Sequence, residues 1–531
     1  MDTKFQNLIP YIFSCLFILN FNLSAQEFWL KSGELYQNVI SDAELHEYKV
    51  ELKNGMAVIG SIQQNDIEIL IDIYDPKGLK VQTIDIRERR SRTSNIDFTS
   101  NYSGLYTFKV HPAKEVSDKG NYILQIDQIL STLDNAKRIA KKEIKSESIY
   151  VLWEKSLSDS LAIDDFIKNQ TVQHIIEPIE GNDKEMLVTY FCIPDEHTEY
   201  VMQSGGPDFL GLRLHQLGNT KLHFTSQVVP VDARFNYGFN YFKVFKAGLN
   251  NEVIKRDVIH AYDGIVEMPK APTQPFIVKN NNIPEGKLEV VEFQSEHLKE
   301  TRKITVHIPA TYSSATSHNL LIVFDGEAYG ARPGRNSRIP THTILDNLFA
   351  SNKITPTITL LVWSMGKRSE DLINDDFGDF IAEELIPWAR SNYNISPGGS
   401  HVILAGSSRG GFASSYIAFR HSEVIGNVLS QSGSYWIKGT ENENHWIYPE
   451  DNGKLINLYK SSERLSIKFY MDVGLYDAGA SMLGMNRQFR DILELKGYEV
   501  DYHEFKGGHS YINWQGTLSD GLISLIGNES K

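Results

Sequence analysis

The chain has 531 residues, 41% of them hydrophobic and 23% charged, with a formal net charge of −14 at pH 7. A length of this order suggests about three domains at roughly 100–200 residues each, with enough chain to bury sizeable cores. The acidic balance argues against a general nucleic-acid or anionic-membrane partner, because phosphate binding needs a basic face, but leaves room for a locally basic pocket.

Residues 1–25 read as a signal peptide. Lys4 supplies the positive start, Leu8 to Leu23 is mostly apolar, and Ser24-Ala25 offers small residues before Gln26. The run is short and broken by Pro10, Asn20 and Asn22, so a membrane anchor is disfavoured. Cleavage there predicts a periplasmic or secreted protein with no integral membrane segment. Cys15 would leave with the peptide, and Cys192 then has no disulfide partner. It reads as a small buried residue.

Residues 27–130 read as a β-sandwich. Tyr48–Leu52, Met56–Ile62, Ile67–Tyr74 and Leu105–Val110 are rich in β-branched and aromatic residues. Turn signals such as Asn54-Gly55 and Asp75-Pro76-Lys77-Gly78 punctuate them. Residues 131–148 form a charged helix or linker. Strand-like runs at Met186–Cys192, Lys221–Val229 and Phe235–Val244 predict a second all-β domain over 150–265. Pro269, Pro272 and Pro275 then mark an extended connection. From 286 to 531 strands and helices alternate, which predicts a mostly parallel sheet covered on both faces. "TITLLVW" is a continuous apolar run, as a doubly buried strand requires. "DDFGDFIAEELIPWAR" places Phe377, Phe380, Ile381, Leu385 and Trp388 on one helical face.

The chemistry concentrates in this last region. Gly406-Ser407-Ser408-Arg409-Gly410 fits G-x-S-x-G between a strand and a helix, the context that lifts a serine above a sheet as a nucleophile. A serine hydroxyl needs a base. Among the downstream histidines, His509 follows the last strand on a Gly507-Gly508 loop. His503 lies within a strand, His421 ends a helix, and His445 has no positional support. Asp477, past Gly474, is the preferred acid over Asp472, which is still in its strand; a Ser-His dyad is the alternative. The oxyanion hole is expected from the backbone N–H of Arg409 and from Gly326 or Glu327 after "LLIVFD". Arg332, Arg335 and Arg338, with Lys367 and Arg368, form a basic cluster, several of them at strand C-terminal ends, that reads equally as a solvated charge cluster or as a site for an anionic substrate. No metal or organic cofactor is implied.

The strings "LIVFDGEAYG", "ILAGSSRGGFASSYIAF", "NVLSQSGSYW" and "GGHSYINW" resemble the enterochelin (ferric enterobactin) esterases and the wider esterase D family. Upstream, "VVPVDARFNYGFNYF" and "EMPKAPTQPF" are similar to the Ig-like early-set domain of those esterases. The likeness covers about residues 150–527; residues 27–130 loosely resemble pre-peptidase C-terminal β-modules. The resemblance implies an α/β-hydrolase domain with Ser408, Asp477 and His509 as nucleophile, acid and base. Trp436, in the distinctive "LSQSGSYW", joins Arg332, Arg335 and Arg338 as a substrate-binding candidate. The family often carries an aromatic or aliphatic residue where this chain has Arg409. The expected substrate is a small-molecule or oligosaccharide ester. A ferric catecholate siderophore is preferred and a feruloyl or acetyl carbohydrate ester is the runner-up. The rival of another class is a non-catalytic binding protein on a hydrolase scaffold.

Overall fold

The computed structural model describes residues 26–528 apart from 42–43, 66, 86–91, 114–118, 248–251, 331–337, 438–452 and 478. The expected signal peptide, Arg332, Arg335 and His445 therefore lie outside the described residues. The chain divides into two compact units, residues 1–154 and 155–531.

In the first unit, strands Gln26–Trp29, His46–Leu52, Gly104–Pro112, Ile69–Tyr74 and Lys80–Asp85 form one sheet, in that spatial order. Leu35–Ile40, Gly120–Leu130, Ala57–Asn65 and Thr93–Thr99 form a second. Alternation does the work: Tyr48, Val50 and Leu52 point inward from one strand and Tyr106, Phe108 and Val110 from its neighbour. They share a core with Tyr122, Leu124 and Ile126 of the other sheet. The Asp75–Gly78 turn closes as its residues require. Asp75 Oδ1 accepts from the Lys77 and Leu79 amides at 2.9 Å each, and Gly78 takes a φ of 77°. Several strands absent from the sequence reading, such as Leu35–Ile40 and Lys80–Asp85, lie at sheet edges with one face in solvent.

The charged segment forms helix Thr132–Glu143, capped by Ser131, whose Oγ accepts from the Asp134 amide at 3.1 Å. The expected β-domain boundary at 150 falls instead inside helical chain. Helices Glu147–Ser156 and Ala162–Lys168 precede the first strand of this region, His174–Ile179. Ile149, Leu152 and Trp153 form the buried face of the first of these helices.

In the second unit two four-stranded sheets span 174–267, ending in the long hairpin Arg234–Ala247 and Glu252–Glu267. Their core holds Val188, Tyr190, Val201, Phe235 and Phe239. Cys192 belongs to it, and burial pushes its thiol up to about 11, which keeps it an inert apolar residue.

The large sheet follows. Its strands are β1 (Lys287–Ser295), β2 (Glu300–Ile308), β3 (Asn319–Val323), β4 (Thr357–Val362), β5 (Val402–Ser407), β6 (Asn427–Gln431), β7 (Lys468–Gly474) and β8 (Glu499–Phe505). Their spatial order is 1-2-4-3-5-6-7-8. Only the β1–β2 and β2–β4 pairs are antiparallel; every pair from β4–β3 to β7–β8 is parallel. Two separate apolar clusters flank the sheet. One gathers Phe377, Phe380, Leu385, Phe412, Tyr459 and Phe489; the other gathers Ile344, Leu348, Trp514, Leu518 and Leu522. The helix around Phe380 differs from expectation in one respect: Phe380–Leu385 is a wider π-turn. It precedes Pro387, which has no N–H to donate back.

Candidate active site

Strand β5 is buried throughout and ends at Ser407; helix Arg409–Arg420 begins two residues later. Ser408 alone makes the turn, with φ 58° and ψ −120°, a conformation a residue with a Cβ adopts only under constraint. The constraint is visible. The Ser408 amide donates to Gln431 O at 2.8 Å, and its carbonyl accepts from the Ser434 amide at 3.0 Å and the Phe412 amide at 3.1 Å. A Cβ on Gly406 would lie 2.6 Å from the Gly410 carbonyl carbon, so the strand can turn this tightly only with glycine there. Ser408 Oγ lies 3.2 Å from Ser434 Oγ. The Arg409 amide opens the helix, where amides have no intrahelical acceptor and the dipole favours negative charge.

His509 sits between the end of β8 and helix Tyr511–Ile526. Its Nδ1 lies 2.7 Å from Oδ1 of Asp477, whose side chain is fully buried in the loop after β7. The two loops meet backbone to backbone: the Tyr476 amide donates to Gly507 O at 2.9 Å and the Leu475 amide to Phe505 O at 2.8 Å. Trp514 stands edge-on to the imidazole, 4.8 Å between ring centres. Asp472 stays inside β7, fully buried, and burial pushes its carboxyl up to about 8. His503 pairs with Asp501 at 2.7 Å and His421 with Asp379 at 2.9 Å. Asp379, Glu383 and His421 come close enough to hold a cation, but Arg420 already pairs with Asp379 at 2.9 Å.

Ser408 and His509 line one cavity of about 840 Å³ with Arg338, Arg368, Ser510, Tyr511 and Trp514. Asn236, Asp263 and Ile265 complete it from the hairpin of the preceding β-region. No local signal in the sequence marks those three, because they lie well over a hundred residues upstream of Ser408. A smaller cavity of about 320 Å³ shares Arg338, Arg368 and Tyr511 and is walled by Asp325 and Glu327. Arg368 Nε bonds Asp325 Oδ1 at 2.7 Å. Burial opposes the Arg368 charge, but Asp325 with Tyr511 and Tyr329 together outweighs it and the net shift is upward. Arg409 is held below its ordinary value, first by burial and then by the neighbouring Arg368. Arg338 lies over the Tyr511 ring at 5.4 Å. Lys367 pairs with Glu300.

Two expectations change. The Gly326 amide donates to Val362 O at 2.8 Å, so it is committed to the sheet and unavailable to an oxyanion. Glycine is needed there for space: a Cβ would lie 2.8 Å from the Leu361 carbonyl carbon. Glu327 remains in the loop, its carboxylate accepting from the Ser364 and Met365 amides at 3.1 and 2.9 Å. Trp436 packs half-buried against the apolar cluster and does not line the cavity, so it is no substrate contact there.

The domain is a mostly parallel α/β sheet that carries a strained serine turn and a paired His–Asp at the ends of its strands. Residues 295–525 match the family described as "Putative esterase". The chain is similar to enterochelin esterases and carries further β-structure N-terminal to that region. It is 26% identical over 273 residues to the iron(III) enterobactin esterase of Escherichia coli K12, a match covering 50% of this chain and 63% of that protein. An endo-1,4-beta-xylanase/feruloyl esterase of Xylanibacter ruminicola is 24% identical over 224 residues, 39% of this chain and 30% of the relative. The chain thus spans less than two thirds of these relatives' lengths. The enterochelin esterase of Shigella flexneri shares the fold: TM-score 0.54, 20% identity, 68% of this chain and 97% of that one. The Salmonella typhimurium ferric enterobactin esterase is alike, at 0.53 and 21%, with 68% and 98% covered.

Proposed function

We propose that the chain is an exported serine carboxylic ester hydrolase of the α/β-hydrolase class. The observation that carries this reading is the 2.7 Å His509–Asp477 pair on the cavity that also holds Ser408. Ser408 Oγ attacks the ester carbonyl while His509 takes its proton, and Asp477 holds the imidazole tautomer and stabilises its charge. The Arg409 amide, with that of Glu327, stabilises the oxyanion. His509 returns the proton to the leaving alcohol, and water then releases the acyl group by the same steps.

The substrate we favour is an anionic ester of the ferric catecholate siderophore class. Arg338 and Arg368 line the cavity and Arg409 adjoins the serine. The runner-up is a feruloyl or acetyl carbohydrate ester, which the xylanase/feruloyl esterase relative favours. The decisive test has two arms. Fluorophosphonate should label the wild type and not Ser408→Ala; labelling that survives the substitution would move the nucleophile elsewhere. Turnover of a ferric catecholate trilactone should exceed that of a feruloyl oligosaccharide. Arg338→Gln should raise KM for the trilactone several-fold and flatten its salt dependence. A preference for the neutral ester, with Arg338→Gln silent, would reverse the substrate choice.

A further inference from the structure

The loop that carries His509 is held from outside the sheet. The Arg234 amide donates to Lys506 O at 2.9 Å, and Lys506 Nζ bonds both oxygens of Asp232, at 2.8 and 2.9 Å. Phe235 meets Tyr476, in the Asp477 loop, edge to face at 5.8 Å. Gly507 has no room for a side chain, since a Cβ would lie 2.6 Å from Arg234 O. Both catalytic loops therefore rest on one stretch of the β-region, residues 232–236.

Within this contact one chain of hydrogen bonds ends next to the imidazole. Asn236 Nδ2 donates to Asp263 Oδ1 at 3.4 Å, which turns the amide so that Oδ1 faces the other way. That oxygen accepts from the hydroxyl of Ser510. Ser510 Oγ in turn accepts from the Ile512 amide at 3.4 Å and caps the last helix. Ser510 is bonded directly to His509, and Asp263, Asn236, Ser510 and His509 all line the cavity. Asp477 fixes one nitrogen of the ring; the backbone that carries the ring is fixed by Ser510.

Resting on the reading above of Ser408 and His509, we propose that Asn236, oriented by Asp263, is a positioning residue for His509. The β-region thus completes the active site through Ser510 as well as lining it. A base held loosely loses proton transfer much more than it loses substrate affinity, and small misplacements are costly in rate.

The test uses the full chain and two readouts: turnover of 4-nitrophenyl butyrate and the rate of fluorophosphonate labelling, which needs Ser408 activation but little substrate recognition. Asn236→Ala should lower kcat and the labelling rate by about tenfold, with KM changed less than about twofold and the thermal midpoint nearly unmoved. Ser510→Ala should lower both rates alike, with a lower thermal midpoint from the lost helix cap, and the double variant should be no slower than the worse single, because both break one path. The exchange Asn236→Asp with Asp263→Asn keeps an acceptor for Ser510 and a hydrogen bond between the two positions, and should recover most of the rate. Wild-type labelling kinetics in Asn236→Ala, additive losses in the Asn236→Ala/Ser510→Ala variant, or no recovery by the exchange would overturn the proposal. A wild type that is never labelled would instead overturn the nucleophile assignment on which it rests.

Discussion

The two β-rich regions are built from the same alternation of apolar and polar residues and do different things with it. Residues 26–130 close on themselves and on the adjoining helix Thr132–Glu143, where Arg138 pairs with Asp97 at 2.9 Å. Their buried polar groups satisfy one another, as where Tyr122 OH meets both His46 Nδ1 at 2.7 Å and Tyr48 OH at 2.6 Å. The region at 174–267 instead spends its polar groups outward, through Asp232, Arg234, Asn236 and Asp263, on the loop of His509 and the cavity wall. A sandwich whose polar network is internal is a self-sufficient unit. One whose network ends on another element's loop is part of that element's site. Substitutions in the two regions should therefore separate stability from catalysis.

The largest expected effect lies at the site itself and sets the scale. Asp477→Asn keeps the shape but offers the wrong partner to Nδ1, and kcat should fall by about 10⁴-fold with the fold intact. A loss of tenfold or less, measured on a 4-nitrophenyl ester, would mean that a Ser-His dyad suffices. Phe108→Ala, in the first sandwich, should show the reverse. Phe108 is fully buried and meets Phe98 at 5.6 Å between ring centres, so its removal should destabilise that sandwich by about 3–5 kcal/mol. Calorimetry should record that loss while kcat at 25 °C stays at the wild-type value. A matching fall in kcat would remove the distinction between the two regions.

Much of this was legible in the residues. Ser408 could be read because strand, turn and helix are adjacent in sequence, and local spacing encodes local geometry. The edge strands of the first sandwich were missed because an edge strand needs only half an apolar face. The helices at 147–168 were missed because a short, half-polar helix leaves a weak period. Gly326 looked like an oxyanion donor from its place after β3, but whether an amide is free depends on the neighbouring strand, here Val362 of β4. Asn236 was illegible for the same reason at longer range: its partner Ser510 is 274 residues away. Trp436 sat in the most distinctive string, yet it packs half-buried against the core and away from the cavity, so a distinctive pattern marked structure there and not substrate contact.

The smallest expected effects concern pH, and they set the two units against each other. Asp472, buried in β7, has its carboxyl pushed from 3.8 up to about 8 by burial, so the folded state keeps a proton that the unfolded chain releases. Its contribution to stability is full below the unfolded value and is lost as pH rises through about 8. Asp472→Asn should remove this loss. Relative to wild type, the variant should gain about 2–4 kcal/mol between pH 5 and pH 8.5, read as a difference in the unfolding midpoint of the second unit. His46, in the first sandwich, shifts the opposite way: burial holds its imidazole below 6.5. The unfolded chain takes up a proton first, so stability present above 6.5 is lost as pH falls through the folded value. His46→Gln should blunt the acid loss of the first unit and leave the alkaline limb of the second unchanged. If one variant moves both limbs together, the two units unfold as one. Their opposite pH responses would then belong to a single cooperative structure, and the separation of stability from catalysis would fail with them.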